Sequence, residues 1–290
     1  YLRKDKHPFY EHSEADFFVA EKDGRVVGRV AALVNKRYNQ QHDKQIGQFY
    51  FFECQEELKI ADALFDAAFS WARKRGLNQM LGPKGMGPLD GYGMLVDGFV
   101  HRQLMTMMNY NFEYYPQFME KLGFRKEVDF VSHHIHVADF QISERIHRIA
   151  ERVQKRGKLR VLQMKNKRQL RSWADSIGKA YNNAFVDNWE YVPLTEKEIK
   201  FVVDTVILLA NPRFIKLIVH EQDVVGFLFA FPDVSDAMQR AKGNLLPFGI
   251  FDMLLDMRRT NWVAVNGMGI LPEHQGRGGY PISNEQITAE

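Results

Sequence analysis

The chain is 290 residues long, more than a single hydrophobic core usually serves, so two domains are expected. Hydrophobic residues make up 45% and charged residues 26%, with 22 Phe, 11 Tyr and 4 Trp available for burial, which excludes a disordered or fibrous chain. The longest apolar stretch, Phe201–Ala210, is broken by Asp204 and is far shorter than the ~20 residues of a membrane-spanning helix. The opening YLRKDKHPFY has charges with no apolar run behind them, unlike a secretory signal. Cys54 is the only cysteine and has no internal partner, so a reducing, cytoplasmic setting without a membrane is the expectation.

In chain order, Asp16 opens two apolar runs joined by Asp23-Gly24, a strong hairpin signal. A third strand is expected over Ile46–Glu53. From Glu57 to Gly76 the apolar residues Leu58, Ala61, Leu64, Phe65, Ala68 and Ala72 recur at helical spacing. Leu77–Gly82 reads as a strand, Tyr115–Leu122 as a helix and Phe130–Val137 as a further strand. Gly82–Gly98 holds six glycines and two prolines, and suits either a long surface excursion or the wall of a binding cleft. The boundary between halves is placed near Asp139, giving domains 1–139 and 158–290 joined by a basic linker helix over 140–157. The second half begins with a strand, Leu159–Met164. Helical text follows over Arg168–Ala184, then a Trp-containing loop, then a helix over Thr195–Leu209 that starts on a Thr-x-x-Glu capping box. A second hairpin, Phe214–Phe231, turns at Gln222-Asp223 and repeats the first, Val225-Gly226 matching Val27-Gly28, so the chain reads as internally duplicated. Lys242–Thr260 has mixed periodicity, and Asn261–Leu271 reads as a strand. The fold class expected is α/β in the α+β sense: two tandem domains, each a mixed, mainly antiparallel sheet flanked by helices.

Charge is unevenly distributed. Residues 144–171 carry eleven Lys or Arg against Glu144 and Glu151, a net +9 that leaves −6 for the rest of a chain whose total is +3. This belt reads either as the solvated face of a linker helix, whose apolar side is Ile146, Ile149, Ala150 and Val153, or as a surface for an acidic partner or nucleic acid. No aromatic residue interleaves with the charges, so nucleic acid is not expected.

Chemistry concentrates at the end of the chain. Asn261–Gly279 reads NWVAVNGMGILPEHQGRGG: a strand, a Pro-Glu-His link and Gln275-Gly276-Arg277-Gly278-Gly279, where consecutive N–H groups can form a phosphate nest. This order resembles the acetyl-CoA pyrophosphate loop of the GNAT superfamily of N-acetyltransferases, whose pattern is Gln/Arg-x-x-Gly-x-Gly/Ala after the fourth strand. Gln275 and Gly278 fit, while Tyr280 stands where Gly or Ala is usual. In the first half, Met119-Glu120-Lys121-Leu122-Gly123-Phe124 is similar to the family's late Tyr-Glu-Lys-Leu-Gly-Phe segment, with Met119 in place of the Tyr that protonates the leaving thiolate. Its phosphate-loop position reads Cys54-Gln55-Glu56-Glu57-Leu58, without glycine and with two added carboxylates, so only the second half is expected to bind the cofactor. The resemblance implies that Met268, Gly269 and Ile270 hold the pantetheine, that Gln275, Gly276, Arg277, Gly278 and Gly279 hold the pyrophosphate, and that acetyl passes to a primary amine of a small molecule or peptide.

The base is expected among Glu273, Glu190 and His274. Asn188-Trp189-Glu190-Tyr191 either covers the acceptor site or plugs the core, and Tyr110, Tyr114 and Tyr115 are either core aromatics or cleft lining. His134 and His136 fall on one face of a strand and His133 on the other, so no metal site is expected. The alternative to an N-acetyltransferase is a non-catalytic GNAT-like binding protein that uses residues 144–171 to hold an acidic partner or nucleic acid. The resemblance also implies about 60 further residues after Gly279, hence missing chain between Gly279 and Tyr280 or beyond Glu290.

Overall fold

The computed structural model describes residues 1–87, 90–103, 108–136, 143–156, 158–242 and 244–275. Two compact units divide the chain, the first within residues 1–131 and the second beginning at Ser132, ahead of the boundary expected near Asp139. Among the described residues the strands form two four-stranded sheets.

In the first unit β1 (Glu14–Lys22) and β2 (Arg25–Val34) form the expected hairpin. Asp23 and Gly24 both adopt positive φ, 51° and 72°, the turn that matches strand twist and that Asp-Gly permits. A short helix α1 (Lys36–His42), which the sequence reading did not find, starts on Asn35, whose side chain accepts from the Tyr38 N–H. It leads to β3 (Ile46–Cys54), antiparallel to β2. The helix α2 (Leu58–Arg73) then crosses over to β4 (Gln79–Leu81), which pairs with β3 in parallel. Its buried face is Ile60, Ala61, Leu64, Phe65, Ala68, Trp71 and Ala72, the predicted helical stripe with Ile60 and Trp71 added and Leu58 only half-buried. Phe65 meets Phe49, Phe52 and Phe124 at ring distances of 4.9–5.1 Å and anchors the core. The last helix of the unit is α3 (Tyr114–Lys121), with Tyr115, Phe118 and Met119 buried against the same core.

The Gly-rich segment folds on itself around Asp90, whose Oδ2 accepts from the Gly87 N–H at 2.8 Å and whose other oxygen meets the Tyr1 hydroxyl. Burial raises the Asp90 carboxyl above its ordinary value. The expected strand Phe130–Val137 does not form over its described part: residues 128–136 are exposed coil. His134 stacks instead on Trp262 at 4.4 Å, with His136 beside it.

In the second unit α4 (Glu144–Arg156) forms over the expected basic segment, ahead of the sheet. Its order of strands is β5 (Leu159–Gln163), β6 (Ile215–His220), β7 (Asp223–Pro232) and β8 (Val263–Ile270). Every described pairing is antiparallel, so the mixed sheet expected for each half is realised only in the first. Between β5 and β6 lie α5 (Lys167–Ser172), α6 (Ala174–Ala184) and α7 (Glu196–Leu209). The capping box forms as predicted: Thr195 Oγ1 accepts from the Glu198 N–H at 3.2 Å and Glu198 Oε2 accepts from the Thr195 N–H at 2.8 Å. The hairpin turn sits at Glu221-Gln222, one residue earlier than expected, with φ of 56° at Glu221 and Asp223 already in β7. Between β7 and β8 the ambiguous stretch folds as α8 (Ser235–Ala241), an irregular turn over Leu245–Gly249, and α9 (Ile250–Arg259).

The duplication extends to backbone detail. Gly28 lies opposite Ala20 beside the β1/β2 register shift, and Gly226 lies opposite Ile218 beside the β6/β7 shift. A Cβ on Gly28 would come within 2.9 Å of Leu64, and one on Gly226 within 3.0 Å of the Gly269 carbonyl, so both sites hold glycine for close packing.

Candidate functional site

The end of β8 is the place the sequence analysis singled out, and its ladder with β7 determines which backbone groups are available there. Gly226 faces Ile270, Phe227 faces Gly269 and Leu228 faces Met268. One step further, the Leu271 N–H donates to the Val225 carbonyl at 2.9 Å. Bonded and non-bonded pairs alternate in an antiparallel ladder, so Gly269 turns its N–H and C=O to β7 while Met268 and Ile270 turn theirs away. Among the described residues β8 pairs with β7 alone, so those groups face an open edge. The Gln275 side chain folds back over this edge, its Nε2 donating to the Ile270 carbonyl at 3.2 Å.

Gly269 makes the strand fit. A Cβ there would lie 2.7 Å from the Phe227 ring and 2.9 Å from Ala184 at the end of α6. Phe227 is fully buried in a cluster with Tyr181, Phe185 and Phe229 at ring distances of 4.6–5.7 Å. The loop after α6 is pinned to this cluster by Asn182: its Oδ1 accepts from the Tyr191 hydroxyl at 2.7 Å and the Leu194 N–H at 2.8 Å, and its Nδ2 donates to the Leu194 carbonyl at 2.9 Å. Tyr191 packs on Tyr181 and Phe185, whereas Trp189 is exposed, so the loop both plugs the core and presents an aromatic to solvent. Asn182 was not singled out from sequence, since nothing local marks an Asn as the partner of a chain segment twelve residues on.

Met268, Gly269 and Ile270 lie at the end of β8, and Gln275 folds back to the Ile270 carbonyl. Glu273 and His274 follow on a single 3-10 turn, Pro272–His274. Glu273 is exposed; the His274 ring lies 5.3 Å from that of His220 and its Nδ1 is buried with no hydrogen-bond partner among the described residues. Glu190 stands apart in the loop after α6, half-buried, at φ 50°. Gly276, Arg277, Gly278 and Gly279, and the junction with Tyr280, lie outside the described residues.

The first unit repeats this strand end and closes it. The Gln55 N–H donates to the Val27 carbonyl at 3.0 Å, and Gly28 faces Cys54, so Cys54 holds the position of Ile270. Its outward groups are taken: the Cys54 N–H donates to the Tyr115 hydroxyl at 3.1 Å, and the Cys54 carbonyl accepts from the Tyr114 hydroxyl at 2.6 Å. Tyr115 in turn donates to Glu53 Oε2 at 2.6 Å. Burial first, then the Glu53 carboxylate, raises the Tyr115 hydroxyl above its ordinary value. Burial and then Glu53 push the Cys54 thiol up to about 12. No glycine nest follows; α2 begins at Leu58 directly after Glu57, whose carboxylate is paired with Lys22 at 2.7 Å. Of the tyrosines left open in the sequence, Tyr115 is a core residue and Tyr114 caps the strand edge. Tyr110 is exposed, its hydroxyl 2.9 Å from the carbonyls of Phe99 and His101.

The basic belt does not form one surface. The described charged side chains of α4 are exposed, but Arg160 donates to the Glu221 carbonyl and Arg171 pairs with Asp204 at 2.9 Å, on other elements. Among the described residues no group of three His, Cys, Asp or Glu is placed to hold a metal ion.

No family model matches the chain. It is similar to two curated bacterial proteins. Bacterial ceramide synthase of Caulobacter vibrioides (strain NA1000 / CB15N) is 28% identical over 284 residues, 94% of this chain and 71% of that protein. Protein YghO of Escherichia coli (strain K12) is 25% identical over 272 residues, 93% of this chain and 69% of that protein.

Proposed function

We propose that the chain is an acyl-CoA-dependent N-acyltransferase of GNAT-like fold, with the thioester held along the open edge of β8 and a primary amine as acceptor. The observation that carries this reading is the outward N–H and C=O of Met268 and the outward N–H of Ile270, whose C=O is met by Gln275; there an extended amide-bearing ligand can add to the sheet edge as a further strand would. The likeness to a ceramide synthase supports acyl transfer, since a ceramide is an amide of a fatty acid with a long-chain amino alcohol. It also favours a long acyl chain and an amphiphilic amine over acetyl and a peptide.

Acyl-CoA, when bound, supplies an activated carbonyl. The N–H groups of Met268 and Ile270 are the donors at hand to polarise it, fixed by the ladder before the ligand arrives. The amine must be neutral to attack, so a carboxylate or imidazole takes its proton; Glu273, His274 and Glu190 are the groups near this strand end or on the loop beside it. Gly269 lets the strand pack close against Phe227 and Ala184, which fixes the position of the edge groups before a ligand arrives. The twin site in the first unit is filled by Tyr114 and Tyr115, which supports a single site per chain.

Calorimetric titration with coenzyme A tests this. One site per chain is expected, lost in Gly278→Val, whose side chain would fill the proposed nest, and kept in Glu57→Ala. Two equivalent sites, or unchanged affinity in Gly278→Val, would overturn the assignment. Mass-spectrometric detection of an amide product across acyl-CoA and amine panels then names the chain length.

A further inference from the structure

The α8–α9 insertion between β7 and β8 is built inside out. On α9 the stripe Phe251, Leu254, Leu255 and Arg258, spaced i, i+3, i+4, i+7, faces solvent. The opposite stripe, Asp252 and Asp256, faces the protein and is tied to α8: Arg240 Nε meets Asp252 Oδ2 at 2.8 Å, Arg240 Nη2 meets Asp256 Oδ1 at 3.2 Å, and Asp256 Oδ2 accepts from the Ala237 N–H at 3.1 Å. These bonds hold the polar face of the helix against α8. The turn before it adds Leu246 and Phe248, 77% and 80% exposed, and Phe251 is 67% exposed. A run of large apolar side chains this exposed exceeds the scatter of single apolar residues on ordinary surfaces. On β8, Val263 and Val265 are exposed as well.

Positive charge is in excess at this patch. Arg240 pairs with both carboxylates of α9 and offsets one of them, while Lys242, Arg258 and Arg259 are exposed and pair with no carboxylate among the described residues, which leaves residues 240–259 at +2. Apolar side chains flanked by free cations match an anionic bilayer, where Leu and Phe enter the acyl boundary and Lys and Arg reach the headgroups. No described helix is long and apolar enough to cross a membrane, and α9 has ten residues, so the element lies on the surface. We infer that the segment Leu245–Arg259 docks the protein on an anionic lipid surface, placing β8 where an amphiphilic substrate can be taken from the bilayer. The docking itself stands on the surface alone; the substrate clause rests on the transferase reading.

Co-sedimentation of the full chain with vesicles of phosphatidylcholine and phosphatidylglycerol in equal parts tests the docking. Binding is expected, absent with phosphatidylcholine alone, abolished in the double variant Phe248→Asp, Phe251→Asp, and weakened at least several-fold by Arg258→Glu with Arg259→Glu or by raised salt. All of these residues are exposed, so the melting temperature should not change. Failure to bind, binding unchanged in the Phe248/Phe251 variant, or a dimer in solution that this variant dissolves would each overturn the inference. Coenzyme A titration of the same variant keeps the two readings apart: retained coenzyme A binding without vesicle binding is expected of the double variant, and loss of both would show misfolding, in which case Arg258→Glu with Arg259→Glu alone decides.

Discussion

Gly269 shows how one missing side chain sets the geometry of a strand end. Phe227 fills the space where a Cβ would stand and is itself held by Tyr181, Phe185 and Phe229, so it cannot yield. Gly269→Val should therefore destabilise the second unit by about 1–3 kcal/mol, the usual cost of overpacking, and reduce coenzyme A affinity with it. A melting temperature equal to that of the parent would contradict the packing described. Cys54 makes the opposite point, that a nucleophile beside a strand end need not be reactive. With its thiol pushed up to about 12 by burial and by Glu53, almost no thiolate exists at mildly alkaline pH. A thiol reagent should find no group in the native protein and one in denaturant; rapid native labelling would show that the strand end is open.

At the scale of elements, two tethers lend themselves to testing. The loop after α6 rests on the three hydrogen bonds of Asn182. Asn182→Ala leaves partners unsatisfied and should cost about 1–3 kcal/mol, with faster amide exchange at Leu194 as its local signature. The second tether joins β1 to the ends of α1 and α2. Glu14 pairs with Lys36 at 2.6 Å and Arg75 at 3.2 Å, and Asp16 with Lys4 at 2.8 Å and the Trp71 indole at 2.7 Å. The Lys36 bond, against a burial effect and with help from Arg75, lowers the Glu14 carboxyl. For Asp16 burial is the largest influence and acts upward, but the Lys4 and Trp71 bonds with the nearby charges outweigh it and the carboxyl is lowered. Carboxyls lowered on folding stabilise the protein above their unfolded values near ~4, and that contribution is lost as pH falls through the lowered folded ones. The melting temperature should hold from neutrality to about pH 5 and then fall, and Glu14→Gln should lessen the fall. An acid limb of the same depth in that variant would remove Glu14 from the explanation.

Across the whole molecule, one strand-hairpin plan is used twice with different ends. Both units carry the glycine-marked hairpin and a third antiparallel strand whose last residue turns its backbone outward. The first unit closes that edge with two tyrosines, whereas among the described residues the second meets it only with the Gln275 side chain at the Ile270 carbonyl. The basic belt is spread over α4, β5 and α5, where Arg160 and Arg171 have local partners, as a solvated surface would. Converting Arg152 and Lys155 to Gln should shift the melting temperature little, because exposed pairs contribute only about 0–1 kcal/mol. The parent should show no salt-sensitive nucleic-acid binding; tight binding at low salt that collapses as salt rises would favour an anion-binding surface instead.

Local pattern alone determined most elements. The two hairpins, the buried stripe of α2 and the capping box of α7 were legible because turn chemistry, 3.6-residue periodicity and capping are properties of neighbouring residues. The strand text of β8 and its glycines marked the candidate site for the same reason. What the sequence could not show was which groups meet across distance. Tyr114 and Tyr115 close an edge some sixty residues away, Asn182 ties down a loop, and Phe130–His136 stays coil among the described residues although its alternation suits a strand, because a strand exists only where a partner strand satisfies its backbone. The outward face of α9 was hidden for a related reason: periodicity finds an apolar stripe but not the direction it faces, and here Asp252 and Asp256 meet Arg240 of α8 while the apolar stripe stays exposed.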